Sequence, residues 1–475
     1  MRSLWGREMM KWSEQHSGIN NNQFGGRKGV QAQTAALNKT ITCDVIRYYA
    51  EDASLIDNDA QACYDRSVPV LLAYALLRLG LPIHLIKFQC KWLEEAIYFF
   101  KLSDRVSKEG YGHTEKHPLY GTGQGTGWSP PSWTALSYLI SRVMDKFAPG
   151  IKLVHPDGSF IQRVLDAFVD DVNGGLTKEG FQDFIPRNDN ILQRGKTVYE
   201  QTQYNMQLYS HLLCTTGGKL ALHKCAIYML ITHWVQDRRR LQKTHLIYPP
   251  IKIQPGIQHA SQEVKVEDVR KARRVLGVYV APDGGSNQQY KILREKSVKW
   301  ATNVKSQYLS GHETFMAYKQ GVMKSLEFPT GASYLNETQC HRIQSPALIA
   351  CLQNNGVVST INRDLVFGPY RYGCLNLTNI HTNMNIQKLE MLIGHTRKMD
   401  KTRKILEVAI GCLQQEVGIS TPVLEAVYGT YSCITTFSWV QQLWKFLQEI
   451  GGSIHMPSLW TPVSPFENDV NISNR

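Results

Sequence analysis

Three acidic residues of this chain stand where apolar runs end, and their side chains could bind metal ions. Asp59 ends the β-compatible run 53–59, and Asp170 and Asp171 are adjacent in AFVDDV, which is typical of two strands joined by a tight turn. Adjacent carboxylates repel each other, and a bound cation would offset that repulsion. If the strands lie side by side, the three carboxylates could hold two divalent ions about 3.5–4 Å apart, as in displacements at phosphate esters. By itself, an Asp-Asp pair in a turn is usually no more than a solvated turn.

Six short motifs follow one another along residues 23–285. Each combines a turn or strand pattern with polar residues. One of them begins with Asp59, and another contains the pair Asp170 and Asp171. The motifs are QFGGRKG (23–29), DAQACYDR (59–66), GTGQGTGWSPPS (121–132), AFVDDVNGG (167–175), GGKLALHKC (217–225) and RVLGVYVAPDG (274–284). In type and order they resemble the palm of a reverse transcriptase, most closely the non-LTR (LINE-like) retrotransposon type.

The resemblance implies an RNA-directed DNA polymerase that transfers deoxynucleotides onto a primer 3′-hydroxyl. Its cofactors would be two Mg²⁺ ions, or Mn²⁺, held by Asp59, Asp170 and Asp171. Lys224 matches the lysine that would protonate the leaving pyrophosphate, a general-acid role. The plain alternative for Lys224 is one more solvated lysine. The implied partners are an RNA template, a DNA primer and dNTPs.

The resemblance also implies a set of nucleotide contacts. Tyr64 falls at the position of an aromatic gate that would clash with a ribose 2′-hydroxyl, although a tyrosine there could equally pack in the core. Ala60 would offer its backbone carbonyl, and Arg27 and Lys28 would supply charge near the triphosphate. Gln124 and Gly125 would line the nucleotide and template, since glycine lets the backbone approach a substrate closely. A flexible loop is the alternative for that last pair.

Positive charge is concentrated in one part of the chain. The net charge is +13, and residues 201–300 hold 16 basic and 6 acidic side chains. Such an excess is typical of a surface that faces a polyanion, although solubility alone could account for it. The phosphate-contact candidates in this window are Arg238, Arg239, Arg240, Lys271, Arg273 and Arg274.

Composition excludes several other classes of protein. With 475 residues, 43% hydrophobic and 10% aromatic, the chain can bury a large core and is not a disordered sequence. Ten cysteines without a C-x-x-C pair argue against a disulfide framework or a zinc ribbon. The N-terminus lacks the apolar core of a signal peptide, and we expect an intracellular protein, nuclear or cytoplasmic, with no membrane partner.

The expected fold class is α+β. It comprises a right-hand polymerase palm, in which helices flank an antiparallel sheet, with a helical thumb and a helical C-terminal domain. Residues 1–50 would be partial fingers, 51–284 the palm, 285–345 the thumb, and 346–475 a helical region of unknown role. The patterns also predict a helix over 31–49, a hairpin closed by Gly174 and Gly175, and a connector at 237–262.

Two other functions fit the same sequence. Only about 22 residues precede QFGGRKG, so we expect an N-terminally truncated chain that lacks part of the triphosphate grip. That expectation favours a catalytically inactive, nucleic-acid-binding remnant of a retroelement. An RNA-dependent RNA polymerase would share the palm, but Tyr64 and the Phe-x-Asp-Asp pattern disfavour it. The oligomeric state is not indicated by any motif.

Overall fold

The computed structural model of this chain describes residues 2–61, 63–116, 121–122, 127–178, 191–236, 238–256, 259–398, 400–456 and 459–462. These ranges contain both strands and helices, so the fold is mixed. None of the helices within them is both long enough and apolar enough to cross a membrane.

The central sheet has four antiparallel strands, and the run 53–59 lies inside it, as the sequence predicts. Its side chains alternate between two faces: Leu55 enters one apolar cluster and Ile56 another. A strand that is buried on both sides needs apolar residues in both phases. The strand order in this sheet is β10-β1-β9-β8, and the other strands form two-stranded hairpins. The described strands are β1 (Ala53–Asp59), β2 (Ile97–Tyr98), β3 (Lys101–Leu102), β4 (Arg105–Val106), β5 (Tyr111–Gly112), β6 (Ile151–Val154), β7 (Phe160–Arg163), β8 (Leu165–Phe168), β9 (Asp171–Thr177), β10 (Ala226–Leu230), β11 (Thr232–Val235), β12 (Arg238–Leu241), β13 (Ile251–Ile253), β14 (Gln262–Val264), β15 (Arg273–Val275) and β16 (Val278–Val280).

Helices cover both faces of the sheet and build the C-terminal half. The predicted helix over 31–49 is observed one residue shorter. The described helices are α1 (Arg2–Gln15), α2 (Ala32–Tyr49), α3 (Cys63–Arg66), α4 (Pro69–Arg78), α5 (Ile83–Glu95), α6 (Ser129–Phe147), α7 (Ile191–Thr215), α8 (Asn287–Ser306), α9 (Gly311–Met316), α10 (Met323–Glu327), α11 (Glu337–Asn354), α12 (Arg363–Phe367), α13 (Ile380–Thr396), α14 (Lys401–Val417), α15 (Tyr428–Tyr431) and α16 (Trp439–Glu449).

Three layers place the sheet between two sets of helices. One face packs on α6 and α7, with Trp133 and Met206 in the shared cluster. The opposite face packs on α2, α14 and α16, with Trp439 and Trp444 in that cluster. A third cluster joins α8, α11 and α13. The predicted division at 345/346 falls inside α11, and α14 and α16 belong to the core of the sheet.

Two sequence predictions about loops are wrong. The segment 237–262 is not a plain connector, because it contains β12, β13 and the start of β14. Gly174 and Gly175 do not close the hairpin but lie inside β9. A Cβ on Gly175 would lie 2.1 Å from the carbonyl oxygen of Ser54. Glycine is therefore required there because β1 and β9 approach each other closely.

A buried ionic network ties the C-terminal region to β8. The Asp166 carboxylate is fully buried and lies 2.9 Å from the Arg163 Nε and 2.6 Å from the Lys401 Nζ. Lys401 also donates to the Asn22 side chain at 2.6 Å, and Arg163 donates to the Asn173 side chain. Burial favours the protonated carboxyl, but the neighbouring cations win and the pKa of Asp166 lies below its usual value. Helix α14 is thereby fixed to the sheet.

Neutralising Asp166 should destabilise the fold strongly. Asp166→Asn would leave Arg163 and Lys401 buried without their counter-charge, and losing one side of such a buried cluster costs about 3–5 kcal/mol. Lys445→Met is the matched control, because it removes an exposed pair with Glu449 (3.7 Å) that is worth about 0.5 kcal/mol or less. Urea unfolding measures both values, and equal costs for the two variants would contradict the role of the network.

Candidate active site

Three carboxylates meet at one end of the central sheet. In the β1–β9 register, Asp59 lies opposite Asp171. In the β8–β9 register, Phe168 lies opposite Asp171, so Val169 and Asp170 form the two-residue turn between them. The sheet therefore brings Asp59 to the adjacent pair Asp170 and Asp171, from which it is more than a hundred residues away in the chain.

The charges of these carboxylates oppose one another. Burial raises the pKa of Asp171 to about 6, with further contributions from the charges of Asp170, Asp59 and Asp57. The pKa of Asp170 is also raised, first by burial and then by the charge of Asp59. Uncompensated negative charge of this kind favours a bound cation. In this structure the Lys224 ammonium lies 3.5 Å from the Asp59 carboxylate.

The strand that carries Asp59 carries a second acidic residue on the same face. Asp57 lies two residues earlier, and side chains two apart on a strand share a face. Its carboxylate accepts both hydrogen bonds from the Lys39 ammonium, at 2.6 and 2.7 Å, and Lys39 is almost fully buried in α2. The Asp57 charge is thus neutralised from within the core, unlike the charges at the strand end.

A groove of about 450 Å³ opens beside the carboxylates. Asp57, Asp59, Asp171 and Asn173 belong to its acidic side, which the sheet provides. Its basic side comes from the 3₁₀ turn Leu222–Lys224, the segment before β15 and β15 itself. The basic lining residues are His223, Lys224, Lys271, Arg273 and Arg274. Phosphate and divalent cations are the ligands whose charges match these two sides.

Backbone contacts position Lys224 in this groove. The Ala221 N–H donates to the Asp59 carbonyl at 2.8 Å, and the Gln61 N–H donates to the Lys219 carbonyl at 2.7 Å. The following 3₁₀ turn, Leu222–Lys224, ends at the groove, where the Arg273 guanidinium donates to the Lys224 carbonyl. The motif GGKLALHKC is therefore attached directly to the end of β1.

Tyr64 and Ala60 lie next to the strand end as well. Tyr64 is partly buried in the short helix α3, and burial, followed by the charges of Cys63 and Asp170, raises the pKa of its phenol. The Thr122 N–H donates to the Tyr64 carbonyl at 2.7 Å, so the glycine-rich loop begins against α3. Ala60 is buried and forms a bridge with Leu220.

The donor chemistry of the site fits a hard divalent cation. Carboxylate oxygens are preferred ligands of Mg²⁺, and the raised pKa values of Asp170 and Asp171 mark a place where positive charge is favourable. Asp59 and Asp171, facing each other on adjacent strands, would hold such an ion together with Asp170. Within the described ranges, no three His, Cys, Asp or Glu side chains already surround one point as ligands.

Several predicted contact residues do not line the groove beside the carboxylates. Arg27 contacts the Glu14 carboxylate at 3.4 Å and lines a different cavity, while Lys28 is exposed on the adjoining loop. Leu230 pairs with Ala53, six residues from Asp59, so β10 leads to β11 and β12 at the far end of the sheet, about 20 Å away. Arg240 is exposed there. This distance separates the β12 arginines from Lys271, Arg273 and Arg274.

Some predicted positions lie outside the described residues, namely Gln124 and Gly125, and so do the side chains of Arg238 and Arg239.

Sequence reasoning also missed residues that the fold brings to the site. The two-residue periodicity of β1 could have indicated Asp57. Lys39 and Lys401 reach the sheet from distant helices, and no local pattern marks them.

No protein-family model matches the chain, and no curated protein matches it. Among solved structures, it is similar to telomerase from Candida albicans in complex with a TWJ fragment of telomeric RNA, and to apo telomerase from Candida tropicalis. Each telomerase is 12% identical to this chain, with TM-scores of 0.35 and 0.34. Each alignment covers 87% of this chain but only 56% of the telomerase, so the chain spans about half the length of these structures. At these values the likeness is slight.

Removing one of the opposed charges should stabilise the protein without divalent ions. The pKa of Asp171, about 6, lies above its value of about 3.9 in an unfolded chain, so the folded state holds its proton longer and loses stability as pH rises from about 4 to about 6. Asp171→Asn should therefore raise Tm at pH 7.5, and the gain should be small at pH 4, where Asp171 holds its proton in the folded state and for much of the time in the unfolded chain.

Asp57→Asn is the matched control for that melting experiment. It removes a carboxylate from the same strand face but leaves the buried Lys39 ammonium without its partner, so it should lower Tm at pH 7.5. Thermal melts in chelator at both pH values measure all these differences. A lower Tm for Asp171→Asn at pH 7.5 would show that the strand-end charges do not oppose one another.

Proposed function

We propose that this chain is a reverse transcriptase that adds deoxynucleotides to a primer 3′-hydroxyl on an RNA template. The observation that carries the proposal is the meeting of Asp59, Asp170 and Asp171 at one sheet end. Opposed carboxylates are costly to stability, and such an arrangement is typical of sites where charge is needed for chemistry. The six ordered motifs supply the reaction class and the retrotransposon (LINE-like) assignment.

Each side of the groove has a part in this reaction. Asp59, Asp170 and Asp171 would hold two Mg²⁺ ions, which lower the pKa of an attacking hydroxyl and stabilise the leaving oxygens. Lys224, already 3.5 Å from Asp59, is within reach to give a proton to the leaving pyrophosphate. Arg273 and Arg274 line the same groove, where they would contact the primer and template phosphates. These contacts orient the duplex by its backbone and not by its base sequence.

Tyr64 would select the sugar of the nucleotide. Tyr64 lies in α3, where the charge of Asp170 acts on its phenol. Its ring packs against a cluster that includes Trp133 and Tyr209 from neighbouring helices. A ring fixed by such packing cannot move away from a 2′-hydroxyl, so a ribonucleotide would clash while a deoxynucleotide would fit.

A catalytically silent, nucleic-acid-binding remnant of a retroelement is the second candidate function. The observation that favours it is the arrangement of the carboxylates, which do not surround one point, together with the Lys224 ammonium beside Asp59. Such a protein would bind a duplex through Lys271, Arg273 and Arg274 without turning over nucleotides.

Primer extension separates these two functions. With poly(rA)/oligo(dT), dTTP and Mg²⁺, the wild-type chain should incorporate nucleotide, and Asp170→Asn should not, because it removes a charge from the carboxylate group. Asp104→Asn, which changes an exposed aspartate in the β3–β4 turn, should incorporate as the wild type does. No incorporation by a folded wild type that binds the hybrid would favour the silent remnant, and equal incorporation by Asp170→Asn would refute catalysis at this site.

Duplex binding should depend on the groove and not on the β12 end of the sheet. Arg274→Ala should weaken hybrid binding equally for all sequences and reduce the slope of log K against log salt by about 1, as expected for one lost phosphate contact. Arg240→Ala, about 20 Å away by the strand spacing, should leave affinity and slope unchanged. Fluorescence anisotropy at several salt concentrations measures both. A larger loss for Arg240→Ala would move the binding surface to the other end of the sheet.

A further inference from the structure

The turn that carries Asp170 contains a strained residue. Val169 has a φ of +63°, a left-handed conformation that β-branched residues rarely adopt because the side chain meets the backbone. Val169 is the first residue of the two-residue turn between β8 and β9, and Asp170 is the second. Left to itself, this turn would relax, and the direction of the Asp170 carboxylate would change with it. A strained residue persists where its surroundings hold it in place.

Two buried side chains hold both backbone groups of Val169. The Val169 N–H donates to the Gln23 side-chain oxygen at 3.0 Å, and the Val169 carbonyl accepts a hydrogen bond from the Trp133 indole at 2.6 Å. Gln23 and Trp133 are each 2% exposed. They come from different parts of the chain, the segment before α2 and helix α6, so the turn is held from two sides.

The Gln23 amide is itself fixed in direction. Its oxygen also accepts the Gly25 N–H at 3.0 Å, and its nitrogen donates to the Ser137 hydroxyl of α6 at 3.2 Å. The backbone beside it runs along β8: the Phe24 N–H donates to the Ala167 carbonyl, and the Ala167 N–H donates to the Asn22 carbonyl, both at 2.7 Å. The amide therefore cannot turn away from Val169 without breaking several other hydrogen bonds.

Close packing adds to these hydrogen bonds. A Cβ on Gly25 would lie 2.7 Å from both the backbone nitrogen and a side-chain methyl of Val169. Gly25 thus lets the segment before α2 lie directly against the turn. In QFGGRKG, the first and third residues, Gln23 and Gly25, contact the turn that carries Asp170. The motif therefore has a structural role that does not involve its charged residues.

We propose that Gln23 and Trp133 are positioning residues that hold Val169 in its left-handed conformation and so direct the Asp170 carboxylate toward Asp59. The proposal rests on the proposed function, since it concerns the same acidic site. Neither residue touches a substrate in this role, and both act through the turn. Losing a group that orients a metal ligand typically costs about 10–100-fold in metal affinity or activity.

Two substitutions that each remove one hydrogen-bonding group test these contacts. Gln23→Met keeps the side-chain volume and removes the acceptor, and Trp133→Phe removes the indole donor together with part of the ring system. We expect each to lower kcat for dTTP incorporation by about ten- to hundredfold while the KM for primer–template stays unchanged. Mn²⁺ affinity, measured by calorimetry without nucleic acid, should fall in parallel.

The chain offers a matched control for each substitution. Gln414 is a buried glutamine whose amide also bridges backbone groups, including the Val423 N–H at 2.6 Å. Trp444 is a buried tryptophan whose indole donates to the Ala426 carbonyl at 2.8 Å. Gln414→Met and Trp444→Phe should destabilise the fold by similar amounts in thermal melts but leave kcat and Mn²⁺ affinity at wild-type values. Equal loss of activity in test and control variants would overturn the proposal.

A second residue distinguishes positioning from general support. Glycine adopts a positive φ without strain, so with Val169→Gly the turn should depend less on the hydrogen bonds from Gln23 and Trp133. The loss in kcat and in Mn²⁺ affinity caused by Gln23→Met should therefore be smaller in a Val169→Gly background than in the wild type. Losses of the same size in both backgrounds would mean that Gln23 does not act through the conformation of Val169.

The two proposals fail in different ways. A wild-type chain that binds Mn²⁺ but incorporates no dTTP would refute the polymerase, and the Mn²⁺ titrations would still decide whether Gln23 and Trp133 orient the turn. An active wild type whose Gln23→Met and Trp133→Phe variants behave like their controls would refute only the positioning role of Gln23 and Trp133. A wild type that neither binds Mn²⁺ nor incorporates dTTP would refute both.

Discussion

Four aspartates place negative charge on one face of the central sheet, and the surrounding helices and loops are arranged around that charge. Asp57, Asp59, Asp166 and Asp171 project from neighbouring strands in the same phase of the pleat. Charges this close cannot remain uncompensated throughout without unfolding the sheet. These charges are compensated differently inside the sheet and at the end of its strands. Behind the strand end, core cations neutralise Asp57 and Asp166, whereas at the end itself the carboxylates of Asp59 and Asp171 face a groove.

The buried cations explain why such distant parts of the chain belong to one core. Lys39 comes from α2, Arg163 from β7 and Lys401 from α14, and each meets a carboxylate of the sheet. A similar junction joins Asp44 of α2 to the first backbone N–H of α16 at Trp439, at 2.8 Å. The C-terminal helices therefore complete the core behind the acidic site, and removing them would expose charged groups as well as apolar surface.

Sequence patterns predicted the parts of this site that local chemistry determines. The bounds of β1 follow from its apolar alternation and its acidic end, and the turn at Asp170 follows from a pair of carboxylates between apolar residues. Contacts made across long separations carry no such local signal. Nothing in the neighbourhood of Lys401 indicates Asp166, and Gln23 is an ordinary polar residue until the fold places its amide against Val169. The glycines of β9 were misinterpreted because close strand packing and turn formation both select glycine.

The basic window shows the same limit in another form. Its sixteen cations lie within a hundred residues of one another in the chain, yet the sheet divides them, because β10 carries the chain away from the acidic end before the β15–β16 hairpin returns to it. Arg274 lines the groove beside Asp59, whereas Arg240 follows the other end of β10, about 20 Å from Asp59 along the strand direction. A count of charge in a window measures attraction for a polyanion at long range, where the whole field acts. Contact with a phosphate would depend on the surface that the fold assembles, and the groove brings Arg273 and Arg274 to the same surface as Asp59 and Asp171.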